Sequence, residues 1–142
     1  MSKNCTLEEI AGLLLKNGSF VLCPHVSPDG DALGSTLALK MALEKAGKQV
    51  TVMVDDDVPK AFGFLPQLDS FVKPDVDNPV AADLLVVLDA SSLDRIGKVA
   101  QAVKYNAMVN IDHHISNTQY ADYLYLNTEA AATGEILCTL VE

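Results

Sequence analysis

The segment Leu84-Leu-Val-Val-Leu-Asp89 decides the fold class. Its five large apolar residues are too few for a typical globular helix and do not alternate with polar ones, which predicts a strand buried on both faces. Similar apolar runs cover residues 20–23, 50–54 and 107–111. Strands buried on both faces are typical of parallel sheets, whose connections are mostly helices that pack on the sheet.

Helical patterns lie between these runs. Thr6 and Glu9 have the spacing of a capping box and predict a helix that ends near Gly18. Apolar residues recur at helical spacing over residues 33–41, and Gly47 is suited to end this second helix. The alternation predicts an α/β fold, namely a doubly wound, mainly parallel sheet with helices on both faces. The remaining predicted elements are a helix over residues 94–104, a strand over 123–126 and a helix over 130–141.

The composition is that of one globular domain. The chain has 142 residues, of which 49% are hydrophobic and 20% are charged, and this balance excludes a disordered protein. The net charge of −9 argues against a basic surface that coats nucleic acid or binds anionic membranes, although bound cations can reverse the sign of an acidic site. No apolar run approaches the roughly 18 residues of a membrane helix, and we expect no membrane partner. The three cysteines include no C-x-x-C pair, which favours a cytoplasmic protein.

Titratable side chains follow three of the predicted strands at their carboxyl ends. In doubly wound sheets, the crevice outside these strand ends is where ligands bind. Neither a G-x-x-x-x-G-K-[ST] pattern nor a G-x-G-x-x-G pattern is present, so the site is neither a P-loop nor a dinucleotide fingerprint. The candidate residues are His25, Asp29 and Asp31 after the first run, Asp89 after residues 84–88, and Asp112, His113 and His114 after residues 107–111.

This set of side chains predicts a metal site. Several carboxylates in one crevice repel each other unless cations hold them, and four are more than one ion needs, which favours two metal ions. Oxygen ligands mixed with imidazole suit Mn²⁺, with Mg²⁺ or Zn²⁺ as alternatives. Each piece also has a structural interpretation, because Asp29-Gly30 is a common turn pair and Asp31 could cap the next helix. The coincidence at three strand ends favours the metal site.

Three motifs resemble those of the DHH phosphoesterase family. They are His25-Val-Ser-Pro-Asp-Gly-Asp-Ala-Leu-Gly-Ser35, Asp89 and Asp112-His-His114, and the resemblance spans residues 20–142. Within the family, the first motif and residues 112–135 resemble the bacterial oligoribonucleases that also remove the 3′ phosphate of adenosine 3′,5′-bisphosphate (pAp). The inorganic pyrophosphatases of the same superfamily usually have Asp-Thr-Asp where this chain has Asp29-Gly-Asp31.

The resemblance implies which residues bind each of the two metal ions. His25 and Asp29 would bind one ion, Asp31 and His113 would bind the other, and Asp89 would bridge both. The implied cofactor is Mn²⁺, two ions in the full-length protein, with Mg²⁺ as the alternative.

The resemblance also implies roles for three neighbouring residues. Asp112 and His114 would be catalytic: Asp112 would orient the histidine pair as a hydrogen-bond acceptor, and His114 would face the substrate phosphate and neutralise its charge or protonate the leaving group. Asn117 is a candidate for a phosphate contact, with a turn-capping asparagine as the alternative interpretation.

The implied function is hydrolysis of short oligoribonucleotides or pAp by water that two metal ions activate. Two alternatives stay open, an inorganic pyrophosphatase and a non-catalytic nucleotide- or metal-binding module. The family has a further aspartate ligand and a second, substrate-binding domain that residues 1–142 do not match. We therefore expect residues 1–142 to be an N-terminal DHH domain, truncated before its last ligand-bearing strand and inactive alone. The expected partners are short RNA or a nucleotide, and a second copy of the chain in a homodimer.

Overall fold

The computed structural model describes residues 3–56 and 71–129. Within these ranges, the α-helices are α1 (Leu7–Lys16), α2 (Gly30–Lys45) and α3 (Val99–Ala102), and a 3-10 helix covers Leu93–Ile96. The strands are β1 (Lys3–Asn4), β2 (Ser19–Pro24), β3 (Gln49–Val52), β4 (Val80–Leu88), β5 (Val103–Asp112) and β6 (Tyr123–Leu126). The helix predicted over residues 130–141 lies outside the described residues.

The strands form one parallel sheet in the order β1-β6-β5-β4-β2-β3. From β2 the chain passes through α2 to β3 on one side, and the next strand, β4, lies on the other side of β2. The strand order therefore reverses between β2 and β4. Such a reversal opens a crevice at the carboxyl ends of the two strands, which we call the switch-point crevice.

Helices cover both faces of the sheet. On one face, Ile10 and Leu14 of α1 and Leu39 of α2 are buried against β2, β4 and β5. On the opposite face, Ile96 of the 3-10 helix and Val99 of α3 are buried against the same strands. Full burial stabilises the fold by about 1.5–3 kcal/mol for each large apolar side chain. The doubly wound α/β fold that the sequence predicts is confirmed.

The helix predicted over residues 94–104 is wrong in extent. The 3-10 helix ends at Ile96, and its C-cap residue Gly97 has a φ of +61°, in the left-handed region that glycine adopts without strain. A Cβ at this position would also collide with the carboxylate of Asp55, which accepts a hydrogen bond from the Lys98 N–H at 2.8 Å. After the single turn of α3, the chain becomes extended at Val103, so β5 begins earlier than predicted. No helix within residues 3–56 and 71–129 is long and apolar enough to cross a membrane.

Candidate metal centre

Three neighbouring strands end at the same level of the switch-point crevice. Pro24 of β2 pairs with Leu88 of β4, and Leu88 pairs with Ile111 of β5. The residues that follow these pairs directly are His25, Asp89 and Asp112. The parallel register therefore brings together side chains that are far apart in the sequence, as the sequence predicts.

Asp89 lies at the centre of this group. Its side chain is 3% exposed, and its backbone has a φ of +64°, which is unusual for a residue with a Cβ. The backbone N–H donates to the Ile111 carbonyl at 3.0 Å, so the turn stays attached to the sheet. The carboxylate Oδ2 lies 3.6 Å from His25 Nε2, and Oδ1 lies 3.1 Å from His113 Nε2. A strained backbone that aims a buried carboxylate between two imidazoles is typical of a functional site.

His25 is oriented by its own backbone neighbour. Its Nδ1 lies 2.6 Å from the Val26 carbonyl, and because a carbonyl can only accept, Nδ1 is the donor. The other ring nitrogen, Nε2, then faces Asp89 and Asp29, with Asp29 Oδ1 at 3.8 Å. The contact with Asp89 is the largest cause of a raised pKa for His25, and burial of the ring acts in the opposite direction. This tautomer is the one in which Nε2 can bind a metal ion.

Asp29 and Asp31 lie at the start of α2. Asp29 is the N-cap residue, and its Oδ1 accepts the Ala32 N–H at 2.9 Å, so Asp29 rather than Asp31 has the capping role. Asp31 Oδ1 accepts the Ser35 hydroxyl at 3.3 Å, while Oδ2 lies 3.8 Å from His113 Nε2. The two carboxylates therefore approach different histidines of the crevice.

Asp112 and His114 form a close pair. The Asp112 side chain is fully buried, and its Oδ1 accepts a hydrogen bond from His114 Nδ1 at 2.6 Å. The ring of His114 is partly exposed and lies 4.2 Å from the ring of His113, at an angle of 37°. The acceptor role predicted for Asp112 is thus directed at His114.

Asn117 is in contact with Asp112. Its Nδ2 donates to Asp112 Oδ2 and to Asn110 Oδ1, each at 2.8 Å. Asn110 was not among the sequence-predicted residues, although an amide inside the apolar run over residues 107–111 is a signal that could have been noticed. Asp55 and Asp56, which follow the apolar run over residues 50–54, are likewise not among the sequence-predicted site residues. Asp56 accepts the Ser27 N–H at 2.8 Å and so restrains the loop that leads to Asp29.

The donor atoms form two overlapping groups that fit divalent cations. In each group, one ligand atom per residue lies within 4.8 Å of all the others, and Asp89 belongs to both groups. Mixed imidazole nitrogen and carboxylate oxygen ligands suit Mn²⁺ and similar ions. The first group is His25, Asp29 and Asp89, and the second is Asp89, Asp112, His113 and His114.

The fold and the cluster together define a doubly wound α/β domain with a candidate metal centre at its switch point. Residues 19–142 match the N-terminal domain of the DHH family, and the chain belongs to that family.

Several known proteins are similar to this chain over most of its length. The bifunctional oligoribonuclease and PAP phosphatase NrnA of Thermus thermophilus is 33% identical over 88% of this chain and 37% of its own length. The NrnA of Bacillus subtilis is 28% identical over 86% of this chain and 37% of its own length. The crystal structure of an exopolyphosphatase-related protein from Bacteroides fragilis superposes with a TM-score of 0.81 and 26% identity, over 95% of this chain and 42% of that chain. The chain therefore spans less than half the length of these relatives.

Proposed function

We propose that the protein is a metal-dependent phosphoesterase that hydrolyses short oligoribonucleotides and pAp, with residues 1–142 as its N-terminal domain. The principal support is the position of Asp89, whose Oδ2 lies 3.6 Å from His25 Nε2 and whose Oδ1 lies 3.1 Å from His113 Nε2. A carboxylate whose two oxygens face different imidazoles could contribute one oxygen to each of two divalent ions. The names of the NrnA relatives support the choice of substrates.

We propose two ligand sets that share Asp89. His25 and Asp29 belong to one side, Asp31 and His113 to the other, and the proposed ion is Mn²⁺. Divalent ions bound there would lower the pKa of water and offset the charge on the phosphate. The protein holds both imidazoles with Nε2 towards the carboxylates, so binding needs little rearrangement of these side chains.

His114 is proposed to act on the substrate. Asp112 occupies its Nδ1, which leaves Nε2 as the atom that can contact a phosphate ester. When the water oxygen forms its bond to phosphorus and the phosphorus–oxygen ester bond breaks, a proton on Nε2 would pass to the departing oxygen. The adjacent Asp112 carboxylate would stabilise the protonated ring that this step uses.

A protein nucleophile is not required for this reaction. Cys23 is fully buried in β2, and both its burial and the charge of Asp55 raise the pKa of its thiol. A thiol of this kind stays protonated and cannot attack phosphorus.

The test compares substrates with and without metal. Full-length protein, stripped with a chelator, would be incubated with a labelled RNA dinucleotide, pAp or pyrophosphate, in buffer with Mn²⁺, with Mg²⁺ or with neither. We expect mononucleotide from the dinucleotide and phosphate from pAp only when metal is added. The matched variants are Asp89→Asn, which should be inactive, and Asp77→Asn, an exposed carboxylate outside the crevice that should leave activity unchanged.

The other functions predict different results. Cleavage of pyrophosphate alone would replace the proposal with the alternative of an inorganic pyrophosphatase. The similar structure from Bacteroides fragilis is described as that of an exopolyphosphatase-related protein. Metal binding without cleavage of any of the three substrates would indicate a non-catalytic module. The homodimer and the cytoplasmic location stay predictions, and light scattering and cell fractionation can test them.

A further inference from the structure

A buried asparagine interrupts the apolar face of β5. The side chain of Asn110 is 0% exposed and lies on the same face of the strand as Met108. A buried amide without partners costs about 1–3 kcal/mol, so its hydrogen bonds explain its presence. Asn110 Nδ2 donates to the Val87 carbonyl of β4 at 3.0 Å. Because a carbonyl can only accept, this bond fixes Asn110 Oδ1 as the atom that faces Asn117.

The hydrogen bonds of the Asn117 side-chain amide also fix its orientation. Its Oδ1 accepts the Gln119 N–H at 2.7 Å, and a peptide N–H can only donate. Its Nδ2 then has two hydrogens, one directed at Asn110 Oδ1 and the other at Asp112 Oδ2. Both donors of the amide are therefore in use within the protein. A phosphate oxygen can only accept, so Asn117 has no hydrogen for it while these bonds persist.

We infer that Asn117 and Asn110 are positioning residues that fix the Asp112 carboxylate and, through it, the His114 ring. The chain of contacts runs from the Val87 carbonyl through the two amides to Asp112, and from Asp112 Oδ1 to His114 Nδ1 at 2.6 Å. With Oδ2 held by Asn117, the carboxylate cannot rotate away from His114 without breaking a partly buried hydrogen bond. This role replaces the phosphate contact predicted for Asn117 from the sequence, and its catalytic meaning rests on the proposed function.

The loop around Asn117 keeps its place without this side chain. The Asn117 N–H donates to the His114 carbonyl at 3.1 Å, and the Thr118 N–H donates to the Ser91 carbonyl at 2.8 Å. The Tyr120 hydroxyl donates to the Ala90 carbonyl at 2.8 Å. None of these bonds uses the Asn117 side chain, and the last two attach the loop to the segment after β4. The Asn117→Ala variant should therefore fold, with its direct losses limited to the hydrogen bonds with Asn110, Asp112 and the exposed Gln119 N–H.

The first test reads the tautomer of His114 without substrate or metal. Two-bond ¹H–¹⁵N spectra of the chelator-treated chain would be recorded at about pH 8, above the ordinary histidine pKa of about 6.5. The chain has three histidines, and a His114→Gln spectrum assigns the signal of interest. We expect the Nδ1–H tautomer in the wild type and a mixture of both tautomers in Asn117→Ala and Asn117→Asp. Asn106→Asp, which makes the same change at the exposed start of β5, should retain the wild-type spectrum.

The second test separates positioning from substrate contact. In the full-length protein, Asn117→Ala should lower kcat by about 10- to 100-fold and leave KM for pAp within about twofold, since the altered partner lies behind the reacting group. A raised KM with an unchanged His114 tautomer would overturn the inference and restore the phosphate contact. An unchanged tautomer in both Asn117 variants would also overturn it. If the wild-type protein cleaves no phosphate ester, the proposed function fails, while the tautomer experiment still decides whether Asn117 positions His114.

Discussion

Asp89 is the side chain on which both sides of the proposed centre depend. A left-handed backbone costs about 1–2 kcal/mol for a residue with a Cβ, and here it places the carboxylate between His25 and His113. Removal of a carboxylate from water is also unfavourable unless charged or polar partners compensate. Both the backbone conformation and the burial of Asp89 are therefore unfavourable by themselves. A bound cation would compensate for them, because it would interact directly with the carboxylate.

The first prediction ranks Asp89 above Asp29. Asp89→Asn keeps the shape of the side chain and removes its charge from both proposed ligand sets, whereas Asp29→Asn affects only one of them. We expect Asp89→Asn to lower kcat of the full-length protein by about 1,000-fold, equivalent to ~4 kcal/mol, and Asp29→Asn to lower it less. Steady-state assays over a Mn²⁺ series check the ranking. Near-normal turnover of Asp89→Asn at saturating metal would show that the shared-ligand assignment is wrong.

Some of these residues were predictable from the sequence and others were not. Asp89 follows a run of apolar residues directly, so a strand and a strand-end carboxylate could be predicted from local sequence alone. The partners of Asp56 and Asn110 are Ser27 and Val87, which approach only after the sheet has formed. A contact set by strand order has no local signal, so these residues required the structure.

At the scale of elements, three loops at one end of the sheet are attached to each other. The Val26 N–H in the loop after β2 donates to the Arg95 carbonyl at 2.6 Å, and the Ser27 N–H donates to Asp56 after β3. Asp55, beside Asp56, accepts the Lys98 N–H from the segment after β4. The acidic residues after β3 therefore restrain the loop that positions His25 and Asp29.

The second prediction concerns the close approach at Gly97. Gly97→Ala would place a Cβ against the Asp55 carboxylate and would require a left-handed alanine, so we expect a loss of more than about 1 kcal/mol in the free energy of unfolding. Gly12→Ala is the matched control, because Gly12 is exposed in α1 and a Cβ there meets nothing within 4 Å. That control should gain about 0.5–1 kcal/mol. Urea unfolding of the chain measures both, and equal effects of the two substitutions would contradict the proposed contact with Asp55.

The third prediction concerns the opposite end of the sheet and its dependence on pH. Asp83 of β4 accepts the Gly18 N–H at 2.9 Å and the Ser19 N–H at 3.2 Å, and these bonds, the first above all, lower the pKa of its carboxyl. A lowered folded-state pKa means that the stabilisation is complete above the unfolded pKa, about 3.9, and is lost as the pH falls through the folded value. The difference in unfolding free energy between wild type and Asp83→Asn should therefore shrink as the pH is lowered from 6 towards 3. A difference that stays constant over this range would contradict the role of the ionised carboxylate.

At the scale of the whole molecule, the order of the strands decides which side chains meet. The apolar runs and their helical spacers were sufficient to predict a doubly wound sheet, because each buried strand has a local signature. The extent of the segment after β4 was not predictable, since Asp55, a residue far earlier in the chain, accepts the Lys98 N–H and leaves no room for a Cβ at Gly97, where the 3-10 helix ends. Errors of this kind shift element bounds while leaving the switch-point crevice in place.

The last prediction concerns what residues 1–142 do alone. The proposed ligands His25, Asp29, Asp31, Asp89 and His113 lie in this chain, so we expect it to bind Mn²⁺ and expect Asp89→Asn to abolish that binding. The named relatives are more than twice as long, since the chain covers 37% of each, and hydrolysis requires substrate to be held in line with the activated water. We therefore expect calorimetry to detect weak Mn²⁺ binding by the isolated chain, and a phosphate-release assay with pAp to detect negligible turnover. Robust turnover would show that the chain is sufficient for substrate positioning, and absence of Mn²⁺ binding would show that the cluster around Asp89 does not bind metal without further ligands.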